Sequence, residues 1–369
     1  MRTSIIEKIK NFVQNKIMSK AREIDNKRKF PDFVKNFFDE NNLKLLLGYH
    51  GSLKSLSAKQ ESEFYFFATK YCANIRNYFL VSIGMVGGGI FKYGTKNQRI
   101  NFIKNTVKKK EIYALALTEK NAGSDLNSIK TSYKFENNNF IINGEKTWIT
   151  LGNKAKNFLL LANGEFGLLL FCVKKNKSIK TTELKNIISN KASSISTLKI
   201  KNLILNHDDI LGGKKDLTLE ALDYILVNGR AIASISACAM AEAALEEAIA
   251  YSKNRIQFGK RIFQFQQIQN ILTNVSIEIE SVKSLAEKSF VTKREDYVTG
   301  RYFCNSSKIL ASKVINKTTY KLMNVFGANS NNKKFNIERY DREAKAFMFI
   351  EGTSQILSMM ISSYLMTRY

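Results

Sequence analysis

The apolar residues of this chain change their spacing twice, and that change restricts the available folds more than any single motif. Up to about residue 112 they recur at helical intervals: Phe33, Phe37 and Phe38; Leu43, Leu45, Leu46 and Leu47; Phe64, Phe66, Phe67 and Tyr71. From Ile112 to about Gly213 the pattern shortens. YALALTE, SIKTSYKF, FIINGEKTWI, NFLLLA, GLLLFCV and LKIKNLIL are bounded by Asn, Gly and Ser clusters, which predicts strands. Asn137-Asn138-Asn139 and Asn143-Gly144 read as turns between them. From Asp216 the helical period returns, in Ala231–Lys253, Phe263–Phe290 and Tyr302–Phe326. Ile268, Leu272, Val275, Ile279 and Val282 form one stripe on the second of these. The expected class is α+β, mostly α. An N-terminal helical domain (1–112) precedes a middle β-sheet or barrel domain (113–215) and a C-terminal helical bundle (216–369).

Several kinds of chemistry are short of residues. The two histidines, His50 and His207, offer little to a Ser–His–Asp device or a histidine metal site. Cys72, Cys172, Cys238 and Cys304 lie far apart without metal or disulfide spacing. No metal site is expected, and carboxylates or a cofactor are left to carry any reaction. The N-terminal MRTSIIEKIKNFVQNKI alternates charge with apolar positions, unlike a secretory signal, and no stretch reads as long enough to span a bilayer. A cytoplasmic protein without membrane insertion is expected. The net charge of +26 would attract acidic partners, nucleic acid included, but the Lys runs at 108–110, 174–175, 214–215 and 333–334 are dispersed. A Lys-, Asn- and Ile-rich composition accounts for that charge equally well.

Three short segments hold the candidate chemistry. Phe349-Ile350-Glu351-Gly352-Thr353-Ser354 sets one carboxylate among apolar neighbours ahead of a helix entrance. Desolvation there raises a carboxyl pKa and suits it to act as a general base. Leu117-Thr118-Glu119-Lys120-Asn121-Ala122-Gly123-Ser124-Asp125 leaves a strand through small residues that let a backbone approach a flat or phosphorylated ligand. Gly144-Glu145-Lys146-Thr147-Trp148-Ile149-Thr150 holds the only tryptophan between hydroxyl residues. Such an aromatic can stack on a heteroaromatic ring or simply cover the sheet.

Together with KYGTKNQRINFI (92–103) and NRIQFGKRIFQFQQIQ (254–269), these segments resemble the acyl-CoA dehydrogenase family over nearly the whole chain. The resemblance implies a C-terminal four-helix bundle, bound FAD, and removal of hydrogens from Cα and Cβ of an acyl thioester. It implies flavin contacts from Thr118, Ser124, Trp148, Thr150 and Thr353. Arg255 and Phe258 of a neighbouring subunit would hold the pyrophosphate and adenine, with Asn324 and Gly327 on the adenine side. Ser124, Arg230 and Gly352 would face the substrate. Glu351 would abstract the α-proton while the β-hydride passes to flavin N5. In relatives that carry the base before the Arg matching Arg230, that position is acidic; here it is Gly229. The implied partners are a thioester of coenzyme A or an acyl carrier protein, an electron-transfer flavoprotein or oxygen as acceptor, and further copies of the chain in a dimer or tetramer.

Departures fall on the substrate and adenine sides. Lys120-Asn121 replaces Pro-Gly, Asn324 replaces Gln, and Gly327-Ala328 replaces Gly-Gly. Asn329–Lys334 replaces a more hydrophobic loop, Arg342-Glu343-Ala344-Lys345 replaces Arg-Asp-Ala-Lys, and Tyr49–Lys54 stands where a Gly-rich loop is usual. The altered loops and the basic charge lean slightly toward a carrier-protein substrate. A DNA-binding or catalytically degenerate flavoprotein of the same fold is the alternative.

Overall fold

The computed structural model describes residues 4–48 and 55–368; the Tyr49–Lys54 segment lies outside the described residues. Its contacts divide the chain into two compact units that cut across sequence order. One comprises Met1–Glu23, Ala58–Arg76 and Arg230–Tyr369, and the other Ile24–Ser57 and Asn77–Gly229.

The first unit is helical. Helix α1 (Ile5–Phe12) starts at a capping box in which the Ser4 hydroxyl and the Glu7 carboxylate satisfy each other's backbone amides. The chain continues through a π-helical turn (Val13–Ile17) into α2 (Ala21–Lys27), burying Ile5, Ile9, Val13 and Ile17 on one side. In the second unit, α3 (Glu40–Leu46) is capped by Asp39. The first unit resumes with α4 (Ala58–Thr69), packed on α1, and α5 (Ala73–Asn77) begins in it. The second unit then holds a buried π-helical stretch (Tyr78–Gly87), α6 (Gly88–Tyr93) and α7 (Lys96–Ile103).

The sheet of the second unit runs through β1 (Tyr113–Ala116), β2 (Ser132–Glu136), β3 (Asn139–Ile149), β4 (Asn157–Gly164), β5 (Gly167–Lys174), β6 (Ile179–Glu183) and β7 (Ser196–Leu205). The strand order is β1-β4-β2-β3-β7-β6, with β5 on β4. Strand β7 alternates buried and exposed positions over most of its length, whereas β4 is buried from Asn157 through Ala162. Asn137 and Asn138 adopt positive φ in the β2–β3 turn, as their composition predicts. Asn143-Gly144 corrects its reading as a turn. It lies inside β3, where a bulge shifts the register against β7. Gly144 is needed there: its φ is +157° and a Cβ would meet Thr131 Oγ1 at 2.5 Å. Strand β6, too polar to read as a strand, forms because β7 offers it an edge.

Helix α8 (Thr218–Asn254) is longer than its Ala-rich centre suggests. An apolar window within Lys215–Asn254, with mean hydropathy 1.3, is long enough to cross a membrane, contrary to the expectation; 89% of it is buried within the protein. After a short hairpin of β8 (Ile256–Gln257) and β9 (Lys260–Arg261) come α9 (Gln266–Glu295) and α10 (Tyr297–Phe326), which pack along their lengths. The predicted stripe is buried from Leu272 through Val282 and continues to Ala286 and Phe290. Asp296 alone separates the two helices, its carboxylate accepting from the amides of Val298 and Thr299. Helices α11 (Ile337–Ala346) and α12 (Ser354–Arg368) both pack on α10.

Candidate active site

The candidate residues fall into three groups. In the sheet unit, the chain leaving β1 is anchored by a buried ion pair. Lys146 Nζ on β3 lies 2.9 Å from Glu119 Oε1 and donates to the Leu117 carbonyl at 2.8 Å. Glu119 also accepts from the amides of Lys130 (2.7 Å) and Thr131 (2.9 Å). Burial pushes the Glu119 carboxyl up, but the hydrogen bonds from Lys146 and from Lys130 and Thr131 hold it below its ordinary value. This anchor fixes Thr118, whose carbonyl accepts from the Thr147 amide at 2.9 Å, next to Trp148. Trp148 has φ +57° and is 59% exposed, so it does not serve as a cover for the sheet. Thr118 and Thr150 are half-buried, and Ser124 is exposed on the loop. An uncovered tryptophan flanked by hydroxyl groups fits a planar heteroaromatic ligand.

In the helical unit, Arg255 is exposed at the start of the β8–β9 hairpin, and Phe258 at its tip has φ +51° and is 94% exposed. Exposed Asn324 and Gly327 lie at the end of α10. That end is tied to the start of the hairpin through Tyr251, which stacks on Phe326 (4.4 Å between centroids) and accepts from Asn329 Nδ2 at 2.8 Å. A cation and an uncovered ring suit a phosphate and an adenine, so these residues also fit the cofactor. No hydrogen bond joins them to the Glu351 turn among the described residues.

The third group surrounds Glu351. The seven residues between α11 and α12 turn the chain, with Glu351 at φ +57° and Gly352 at φ +98°. A Cβ on Gly352 would crowd Ile356 Cγ2 at 3.3 Å as well as strain the backbone. Thr353 immediately precedes α12, its hydroxyl accepting weakly from the Ile356 amide at 3.4 Å. Arg230 Nε donates to the Glu351 carbonyl (3.2 Å) and its Nη1 to Asn305 Oδ1 (3.0 Å). Buried Arg230 therefore uses two of its nitrogens on the protein around the base.

Glu351 is half-buried as a residue, but its carboxyl group is densely surrounded, and no hydrogen bond to either carboxyl oxygen is found among the described residues. Burial therefore dominates, pushing the carboxyl up to about 7 against the opposing charges of Arg230, Lys308 and Arg76. Arg76 is buried, its guanidinium 4.6 Å from the centroid of Phe347. Sequence reading missed Lys308, Asn305 and Arg76. The available signal was a polar stripe, Asn305, Lys308, Ser312 and Asn316, at helical spacing on a helix that packs on three others.

Two family models match the sequence: acyl-CoA dehydrogenase, middle domain, over residues 114–203, and acyl-CoA dehydrogenase, C-terminal domain, over 219–366. A short-chain specific acyl-CoA dehydrogenase of Clostridium acetobutylicum is 27% identical over 96% of this chain and 95% of its own. A probable acyl-CoA dehydrogenase of Mycobacterium tuberculosis is 30% identical over 68% of this chain and 66% of its own. The butyryl-CoA dehydrogenase structure from Megasphaera elsdenii superposes with a TM-score of 0.90 at 23% identity, covering 98% of this chain and 97% of that one.

Proposed function

This chain belongs to the acyl-CoA dehydrogenase family, and from that premise we propose that it oxidises the Cα–Cβ bond of an acyl thioester with Glu351 as the base. It is an oxidoreductase with FAD as cofactor. The flavin supplies the two-electron acceptor for the hydrogen lost from Cβ.

Thr118, Ser124, Trp148 and Thr150 would hold the ring and pyrophosphate side, with Thr353 near the flavin. Arg255 and Phe258, with Asn324 and Gly327, would hold the adenine side in a neighbouring copy of a dimer or tetramer. The thioester carbonyl acidifies the α C–H, and the Glu351 backbone N–H would donate to the carbonyl oxygen as enolate charge develops. Ser124, Arg230 and Gly352 would border the substrate. The carboxyl group of Glu351 is the observation that carries this reading. Without hydrogen-bond donors among the described residues, and raised to about 7, it is basic enough to take a proton from a weak carbon acid and still about half ionised at pH 7.

The thioester carrier is coenzyme A or an acyl carrier protein, both anionic and both complementary to a chain of net charge +26. An electron-transfer flavoprotein is the proposed acceptor, in line with a caffeyl-CoA reductase–Etf complex subunit of Acetobacterium woodii among the relatives. Four thiols without a disulfide suit a reducing cytoplasm.

Anaerobic titration of the flavin-loaded protein with acyl-CoA and acyl-carrier-protein thioesters tests the proposal. Bleaching of the flavin absorbance by one carrier class is expected. A protein that takes up no FAD, or binds duplex DNA and turns over no thioester, would overturn it.

A further inference from the structure

One stripe of α10 meets the chain that carries the base at three successive levels and reaches it at a fourth through Arg230. Asn316 Nδ2 donates to the Ala344 carbonyl (2.9 Å), and Ser312 Oγ to the Phe347 carbonyl (2.7 Å). Lys308 Nζ donates to the Gly352 carbonyl (2.5 Å), and Asn305 Oδ1 accepts from the Arg230 guanidinium that holds the Glu351 carbonyl. Positions three and four apart share one face of a helix, so this ladder is a property of α10 itself. Lys308 is the one charged rung, and only 1% of it is exposed.

We propose that Lys308 is a positioning residue for Glu351: its ammonium fixes the Gly352 carbonyl and sets a compensating charge beside the carboxylate. The inference rests on the reading of Glu351 as the base.

Two physical arguments support it. First, Glu351 occupies the left-handed region, which a residue with a Cβ adopts only at a cost in backbone strain. Arg230 and Lys308 hold two consecutive carbonyls, those of Glu351 and Gly352, and so fix the peptide planes that aim the side chain. Second, a buried ammonium is costly unless paired and hydrogen-bonded, and Lys308 has one carbonyl and the field of Glu351 to offset that cost. Burial pulls Lys308 down to about 8, Glu351 pulls it up, and Arg230 pushes it down. The charged groups facing Glu351 are Arg230 from α8, Lys308 from α10 and Arg76 from α5. Arg76 is itself faced by buried Glu343 from α11. Arg76 is shared between two carboxylates and Arg230 is turned toward a carbonyl and Asn305, so Lys308 is the cation whose removal changes the field at Glu351 most simply.

The test is flavin reduction by an active thioester, followed by stopped flow from pH 5.5 to 9.5, in the flavin-loaded wild type and Lys308→Met, Lys308→Arg and Glu351→Gln variants. Infrared titration of the carboxyl band, assigned by its loss in Glu351→Gln, gives a readout independent of turnover. With Lys308→Met the acid limb and the carboxyl titration are expected to move up together by about one unit, lowering the rate at pH 7 roughly five-fold. Lys308→Arg should return the limb toward its wild-type position. An unmoved limb and carboxyl titration in a flavin-replete Lys308→Met protein would overturn the proposal. Should Lys308→Met fail to fold, Lys308→Gln decides: a limb and carboxyl titration moved up together support the role, and an unmoved pair removes it. Wild-type reduction by Glu351→Gln would instead remove the base assignment, so the two failures are distinct.

Discussion

Two glutamates, a buried one in the sheet unit and a half-buried one in the helical unit, have opposite fates. Glu119 is 9% exposed and accepts from Lys146 and from two backbone amides. Glu351 is less buried by surface area, yet among the described residues its carboxyl group accepts no hydrogen bond and meets its cations only through space. The first is held below its ordinary value and the second is raised to about 7. Burial alone thus does not make a base. Donors that fit the carboxylate oxygens convert a buried glutamate into a structural anchor, and withholding them leaves its basicity available for chemistry.

The sharpest break in this comparison is catalytic. Glu351→Gln is expected to slow flavin reduction by about 10²–10⁴-fold with flavin still bound, the range spanned by general bases. Glu119→Gln should leave the reductive step within a few-fold of wild type if flavin is retained, which stopped-flow bleaching of both variants would check. A Glu119→Gln loss as large as that of Glu351→Gln would erase the distinction.

Stability should show the reverse order. Lys146→Met leaves a carboxylate buried without its cation and is expected to cost about 3–5 kcal/mol in denaturant titrations, whereas Glu119→Leu with Lys146→Met should recover much of that loss. If the double variant is no better than Lys146→Met, the pair is more than a paired charge in an apolar setting.

The smallest effect is a difference in sign with pH. The folded value of Glu119 is depressed, so its stabilising contribution is present above the unfolded value and lost as pH falls through the folded one. The folded value of Glu351 is raised, so its contribution is present below the ordinary 4.5 and lost as pH rises through about 7. Melting curves should therefore show Glu351→Gln more stable than wild type above pH 7, with the gain fading toward pH 4. Glu119→Gln should be less stable than wild type at neutral pH and approach it in acid. A Glu351→Gln gain that persists unchanged at pH 4 would contradict the raised value.

The sequence by itself determined the order of helices, sheet and helices, because a change of apolar period is a local property of neighbouring residues. It also determined the family, since Thr118–Ser124, Gly144–Thr150, Arg255–Phe258 and Glu351–Thr353 are each contiguous. It misplaced Asn143-Gly144, whose turn chemistry serves equally in a bulge once a third strand lies alongside. Strand β6 was invisible because its reason for existing is the free edge of β7. Tertiary structure alone decided what surrounds each carboxylate. Lys146 lies 27 residues from Glu119, and Arg230 and Lys308 lie 121 and 44 residues from the carbonyls they hold. Electrostatic fields and hydrogen bonds act through space over a few ångströms, so the same residue type becomes an anchor in one unit and a base in the other according to which side chains folding brings to it.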